Sequence, residues 1–349
     1  MTMENPAVLC AYFSLGALAV IPIVLGSLSS VMDEVSKEKE NLSANDAYSF
    51  PIIGSFCLLG LYLVFKYLEP AYLSLLITAY FSIFGCVSVA KLAIRSLSFI
   101  PALKSLMDSF AKFHFSFKRE EEQVVSFSFS LFDVAVFIAS AAFTAVYACN
   151  KHWIMNNVFG EAFATTAITL IGLESFSVGL IMLAGLFVYD IFWVFGTNVM
   201  VSVAKNLDAP IKLLFPKNIF AYSSQQKNDF ALLGLGDIVV PGIFIALCLK
   251  FDHFLAGNRG KAAVANGDFS FAKPYFIAGL VAYAIGLTTT IVVMHTFKAA
   301  QPALLYLSPA CGLAPLVTAL MRGELGELFA FSLAPKAEEA VKAAEGKQD

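Results

Sequence analysis

Residues Phe176–Asn198 read FSVGLIMLAGLFVYDIFWVFGTN and carry a single charge, Asp190, set among aromatic and branched apolar side chains. At about 1.5 Å of helical rise per residue, such a run covers the roughly 30 Å hydrocarbon core of a bilayer. The stretch therefore reads as a membrane helix with an acid inside it. An ionisable group at the centre of such a helix costs at least about 2.5–3.5 kcal/mol on insertion scales, so it is a functional candidate by default. Similar apolar runs recur along the chain. Their spacing predicts about nine spans, at 7–28, 51–67, 71–94, 131–150, 153–173, 176–198, 230–250, 274–297 and 300–321. The fold class is all-α, a polytopic membrane protein.

Composition agrees with this class. Of the 349 residues 58% are hydrophobic and 14% charged, against about 45–50% and about 25% in ordinary soluble domains. The net charge of -3 is spread over short connectors, so neither a nucleic-acid surface nor an acidic solvating tail is expected. The first apolar run lacks a basic leader and is longer than a signal-peptide core, and it is expected to stay as a membrane helix. Polar connectors fall at Asp33 to Asp46, Arg95 to Ser130, Asn206 to Asp229 and Phe251 to Lys273. The expected organisation is 1–175 with helices one to five, 176–333 with the catalytic helices six to nine, and 334–349 as a disordered, cytosolic, charged tail. The connector with Arg95, Lys104, Lys112, Lys118 and Arg119 is among the richest in basic residues, and the positive-inside rule then places the amino terminus in the lumen and the carboxyl terminus in the cytosol. That orientation puts the Asn41-Leu42-Ser43 sequon on the wrong side for glycosylation. The six cysteines show no close pairing and read as free core thiols.

The other acids in apolar context divide by depth. Asp133 lies at a span edge and Glu174 in a short connector, both within reach of water, whereas Glu161 sits deeper and cannot be set aside. Asp190 and Asp237 are the deepest. Each is expected seven or eight residues from the same membrane surface, on antiparallel helices joined by one connector. Two carboxyl groups sharing a site cannot both ionise, so the pair holds one proton and supplies a base and an acid together. That is the logic of the aspartic proteases, for which the handling of water and peptide carbonyl needs neither metal nor cofactor. Gly234-Leu235-Gly236-Asp237 places two glycines within a turn of the second acid, weakening a helix there and admitting another backbone. Such room suits proteolysis, because a substrate helix must unwind before its peptide bond can be attacked. At Gln301-Pro302-Ala303-Leu304 the proline predicts an irregular entry into the last span.

Together Tyr189-Asp190, Gly234-Leu235-Gly236-Asp237 and Pro302-Ala303-Leu304 resemble the three signatures of the GxGD intramembrane aspartyl proteases. The wider stretches YDIFWVFGTNVM (189–200), GLGDIVVPGIFIAL (234–247) and QPALLYL (301–307) look like the signal peptide peptidase branch, as do Phe50-Pro51-Ile52-Ile53 and Lys151-His152-Trp153-Ile154. The resemblance implies a presenilin-like fold with Asp190 and Asp237 as the catalytic pair. It implies that Tyr189, Gly234, Leu235 and Gly236 shape the site, and that Gln301, Pro302, Ala303 and Leu304 press on the acids and help hold the substrate. It also implies substrates, namely leftover signal peptides and type II membrane segments cut in the endoplasmic reticulum membrane. The partners expected are such transmembrane peptides and the lipid bilayer, with self-association left open. A proton-coupled transporter or channel built on the same carboxylates is the alternative from another class, and a packed structural scaffold is a third.

Overall fold

The computed structural model describes residues 6–32, 41–67, 70–119, 122–197, 199–200, 203, 209–218, 229–258, 269–297 and 301–333. The expected tail 334–349 lies outside the described residues. The helices are α1 (Pro6–Met32), α2 (Ala44–Tyr67), α3 (Pro70–Ser98), α4 (Pro101–Ser109), α5 (Leu131–Asn150), α6 (Trp153–Leu170), α7 (Phe176–Phe195), α8 (Gly236–Asn258), α9 (Pro274–Phe297), α10 (Leu304–Arg322) and α11 (Leu325–Ala330). The strands are β1 (Asn41–Leu42), β2 (Lys112–Arg119), β3 (Glu122–Ser130), β4 (Gly172–Leu173), β5 (Lys212–Pro216) and β6 (Phe230–Gly234). Among the described residues eight helices are long and apolar enough to cross a membrane, so the chain is a polytopic helical membrane protein. The expected span at 153–173 forms α6, which carries Asn156, Asn157 and Glu161 and stands outside those eight.

Contacts divide the chain into two compact units, 1–29 with 63–167 and 204–238, and 30–62 with 168–203 and 239–349. In the first unit the rings of Tyr147 of α5 and Phe159 of α6 meet at 4.7 Å, tilted by 46°, in a cluster with Val89 of α3 and Ala162 of α6. The entry to α5 is fixed by a capping box, in which Asp133 accepts from the Ser130 amide at 2.8 Å and Ser130 Oγ accepts from the Asp133 amide at 3.2 Å. The polar connector before it folds into α4 and an antiparallel hairpin, with Phe113 opposite Phe129 and Phe115 opposite Phe127. A second hairpin pairs Lys212 with Gly234 and Pro216 with Phe230. Two asparagines on α6 hold it: Asn156 Nδ2 donates to the Lys212 carbonyl, Asn157 Nδ2 donates to the Leu214 carbonyl, and the Leu214 amide donates to Asn157 Oδ1, all within 2.8 Å.

In the second unit α8 is the most buried of the membrane helices. Phe251 in its C-terminal half touches Phe176 at 5.5 Å, Tyr275 at 4.9 Å and Phe331 at 5.3 Å between ring centroids. Asp252 starts α9 by accepting the amides of Tyr275 and Phe276 at 3.2 and 2.8 Å, the arrangement that satisfies a helix's orphan donors. β1 pairs in parallel with β4, and Asn41 Nδ2 donates to the Leu333 carbonyl at 3.0 Å. The sequon nitrogen is thus engaged in the fold. The cysteines are all free, but Cys10, Cys57 and Cys149 are exposed, so only Cys86, Cys248 and Cys311 are core thiols.

Glu161 is 8% exposed, and neither carboxyl oxygen has a hydrogen-bond partner among the described residues. A buried polar group left that way costs about 1–3 kcal/mol. Glu161→Leu is therefore expected to raise stability by about that amount while leaving peptide cleavage unchanged, read as a higher Tm in detergent beside an activity assay. A lower Tm would mean that this carboxyl makes an interaction the fold depends on.

Candidate active site

Asp190 lies on α7 and is 4% exposed. Its Oδ2 accepts the Leu304 amide at 3.1 Å. Leu304 is the first residue of α10, and Ala303 in the capping position supplies no side-chain cap. A carboxyl group from another helix thus satisfies one of the orphan donors of α10, where the helix dipole also favours negative charge. Gln301 and Pro302 precede the helix in irregular backbone and Pro302 is buried, with its carbonyl accepting the Leu305 amide at 3.3 Å. The irregular entry expected at Gln301–Leu304 is present, and it delivers a backbone donor to Asp190. Tyr189 packs on α2. Its ring lies against Gly54 of α2, where a Cβ would stand 3.6 Å from Tyr189 Cε2.

Asp237 is the second residue of α8 and is half-buried. The expected span 230–250 does not run as one helix: Phe230–Gly234 is β6, and the helix starts only at Gly236. Asp237 therefore sits in the first turn rather than two turns inside, and α7 likewise ends at Phe195 rather than near Asn198. The measure of equal depth based on uninterrupted helix does not apply. The physical reason is that 230–234 pairs with β5 in an antiparallel ladder, and the Leu235 amide continues the pattern to the Ile211 carbonyl at 2.9 Å. A Cβ at Gly234 would lie 3.3 Å from Asp237 Oδ2, whereas one at Gly236 would meet nothing within 4 Å among the described residues. Gly234 thus makes room for the carboxyl group itself, and Gly236 leaves open space beside it. Leu235 packs on α6, 3.4 Å from where a Cβ of Gly160 would be.

In its own unit, then, each acid meets one of the sequence-predicted segments: Asp190 meets Leu304 and Asp237 meets Gly234. Four residues that sequence reasoning left without a role also shape these surroundings. Asn156 and Asn157 carry the hairpin that leads into Asp237, and Gly54 and Ser55 on α2 pack against Tyr189 and Trp193. The signal for the first pair is two adjacent amides near the start of a largely apolar helix. For the second it is the Phe50-Pro51-Ile52-Ile53 stretch just upstream. Among the described residues no three His, Cys, Asp or Glu side chains stand together as a metal site.

The model of the signal peptide peptidase family matches residues 34–334. The chain is 41% identical to the signal peptide peptidase of Homo sapiens over 92% of its own length and 83% of that protein's. It is 42% identical to the mouse signal peptide peptidase over 92% and 82%, and 33% identical to a probable intramembrane protease of Schizosaccharomyces pombe over 91% and 92%. These relatives are proteases, and none of them is a transporter. The chain belongs to the signal peptide peptidase family of intramembrane aspartic proteases.

Proposed function

We propose that Asp190 and Asp237 form the catalytic pair, and that the substrates are remnant signal peptides and type II membrane segments cleaved within the membrane of the endoplasmic reticulum. The observation that carries this reading is the bond from the Leu304 amide to Asp190, which ties the Pro302-Ala303-Leu304 segment to a buried acid. One carboxylate takes a proton from water, the water attacks the scissile carbonyl, and the protonated partner polarises that carbonyl and passes a proton to the leaving nitrogen. Asp190, with Oδ2 anchored on an amide, is held in a fixed direction for this exchange. Gly236, exposed and with open space at its Cβ position, gives an unwound substrate backbone room beside Asp237.

In this reading helices six to nine within 176–333 form the catalytic half, and Gly234, Leu235, Tyr189 and the Gln301–Leu304 segment shape it. The amino terminus faces the lumen and the carboxyl terminus the cytosol. The test is cleavage by purified protein in detergent of a labelled signal-sequence peptide, with product masses determined in water enriched in ¹⁸O. A cut inside the apolar segment with one ¹⁸O in the new carboxyl group is expected. Cuts confined to the polar ends of the peptide would overturn the assignment.

A further inference from the structure

The stripe of α7 next to Asp190 is clamped to α2. The Trp193 indole Nε1–H donates to Ser55 Oγ at 3.1 Å, and that hydroxyl donates in turn to the Pro51 carbonyl at 2.8 Å. Ser55 is used as acceptor and donor at once, so its Oγ has one orientation. Trp193 is 8% exposed, and a buried indole N–H needs such a partner. One residue before Ser55, Gly54 lies under the Tyr189 ring, and one turn before it Pro51 sits 2.8 Å from where a Cβ of Gly185 would be. The contact positions on α7 are Gly185, Tyr189 and Trp193, each four residues apart and so along one face. Asp190 is one residue beyond Tyr189, about 100° around the helix, where it meets the Leu304 amide. The two contacts together fix the rotation of α7 about its axis.

We infer that Ser55 is a positioning residue for Asp190, setting through Trp193 the direction in which the carboxyl group points. The inference rests on the proposed catalytic role of Asp190. Its magnitude follows from helix geometry. A side chain about 5–6 Å from the axis moves about 1 Å for each rotation of about 10°, and a misplacement of about 1 Å costs about 100-fold in rate. Ser55 itself reaches no reacting atom, so the loss falls on kcat and leaves KM unchanged.

The experiment measures kcat and KM for Ser55→Ala, Ser55→Thr, Trp193→Phe and the double variant, all purified and checked for Tm. Ser55→Ala and Trp193→Phe are each expected to lose about 10- to 100-fold in kcat. The double variant loses no more than either, and Ser55→Thr, which keeps both hydrogen bonds, matches the parent. Thr144→Val, which removes a comparable buried bond to the Ser140 carbonyl on α5, is the control for mere destabilisation. A parental kcat in Ser55→Ala overturns the inference, as does an equal fall in Thr144→Val at matched Tm. If Ser55→Ala does not fold, Trp193→Phe carries the same test. Asp190→Ala run beside them separates the two claims: cleavage surviving there breaks the catalytic reading. An inactive Asp190→Ala beside a fully active Ser55→Ala breaks this inference alone.

Discussion

Asp190→Ala and Asp237→Ala are each expected to lower the rate of intramembrane peptide cleavage by about 10⁴-fold or more, while both proteins still purify as folded monodisperse material. The size follows from the proposed roles. With one carboxyl gone the remaining acid cannot serve as base and acid in the same turnover, and no other charged group is placed by the sequence to replace it. The double variant should be no slower than either single variant, because the two groups act as a unit. The measurement is the initial rate on a labelled membrane peptide, with Tm from thermal unfolding as the control. Asp190→Ala also removes the acceptor of the Leu304 amide, so its Tm should fall by an amount corresponding to about 1–3 kcal/mol. Asp190→Asn keeps an acceptor oxygen there and should recover most of that stability without recovering the activity.

Gly234→Ala and Gly236→Val are expected to separate two ways of losing activity. A methyl group at Gly234 meets Asp237 Oδ2 at 3.3 Å, so the carboxyl group must shift by a few tenths of an ångström or turn away. Because positioning at that scale carries orders of magnitude in rate, kcat should fall by about 10- to 100-fold with KM unchanged. At Gly236 nothing among the described residues stands within 4 Å, and a larger side chain disturbs none of them. Its effect should appear as a higher KM, since it occupies the space proposed for substrate, with little change in Tm. Steady-state kinetics on both variants checks the contrast. A large drop in Tm with Gly236→Val would mean that the glycine serves the fold instead.

Much of the architecture was legible because a bilayer imposes a simple rule: apolar runs long enough to cross it become helices. Phe176–Phe195 and Pro274–Phe297 needed no further information. The run at 230–250 was misread where it begins. Phe230-Ala231-Leu232-Leu233 is apolar enough for a helix, and a short apolar stretch cannot be told from a strand by periodicity; what makes it a strand is its pairing with Lys212–Pro216. The connector at 95–130 did carry a readable signal, since Phe113, Phe115 and Phe117 alternate with His114 and Ser116 in the two-residue period of a strand.

The site was legible to a different degree. Asp190, Asp237 and the proline at 302 stand out locally, because an acid or an imino acid in an apolar run is costly and needs a reason. The bonds that aim them do not stand out. Asn157 to Leu214 and Trp193 to Ser55 join residues far apart in the chain, and Asn157 or Ser55 taken alone is an ordinary polar residue in an apolar stretch. Only the fold shows that Ser55 faces Trp193 while Ile52 and Phe56 on the same helix are exposed.

A transition-state analogue tests the proposed pairing of Asp190 and Asp237 most directly. In a signal-sequence peptide whose scissile amide is replaced by a hydroxyl-bearing carbon, that hydroxyl takes the place of the attacking water. A structure of the protein bound to this peptide should put the single hydroxyl within hydrogen-bonding distance of both Asp190 and Asp237. A hydroxyl bound by one acid alone, with the other turned to a separate cavity, would contradict the account.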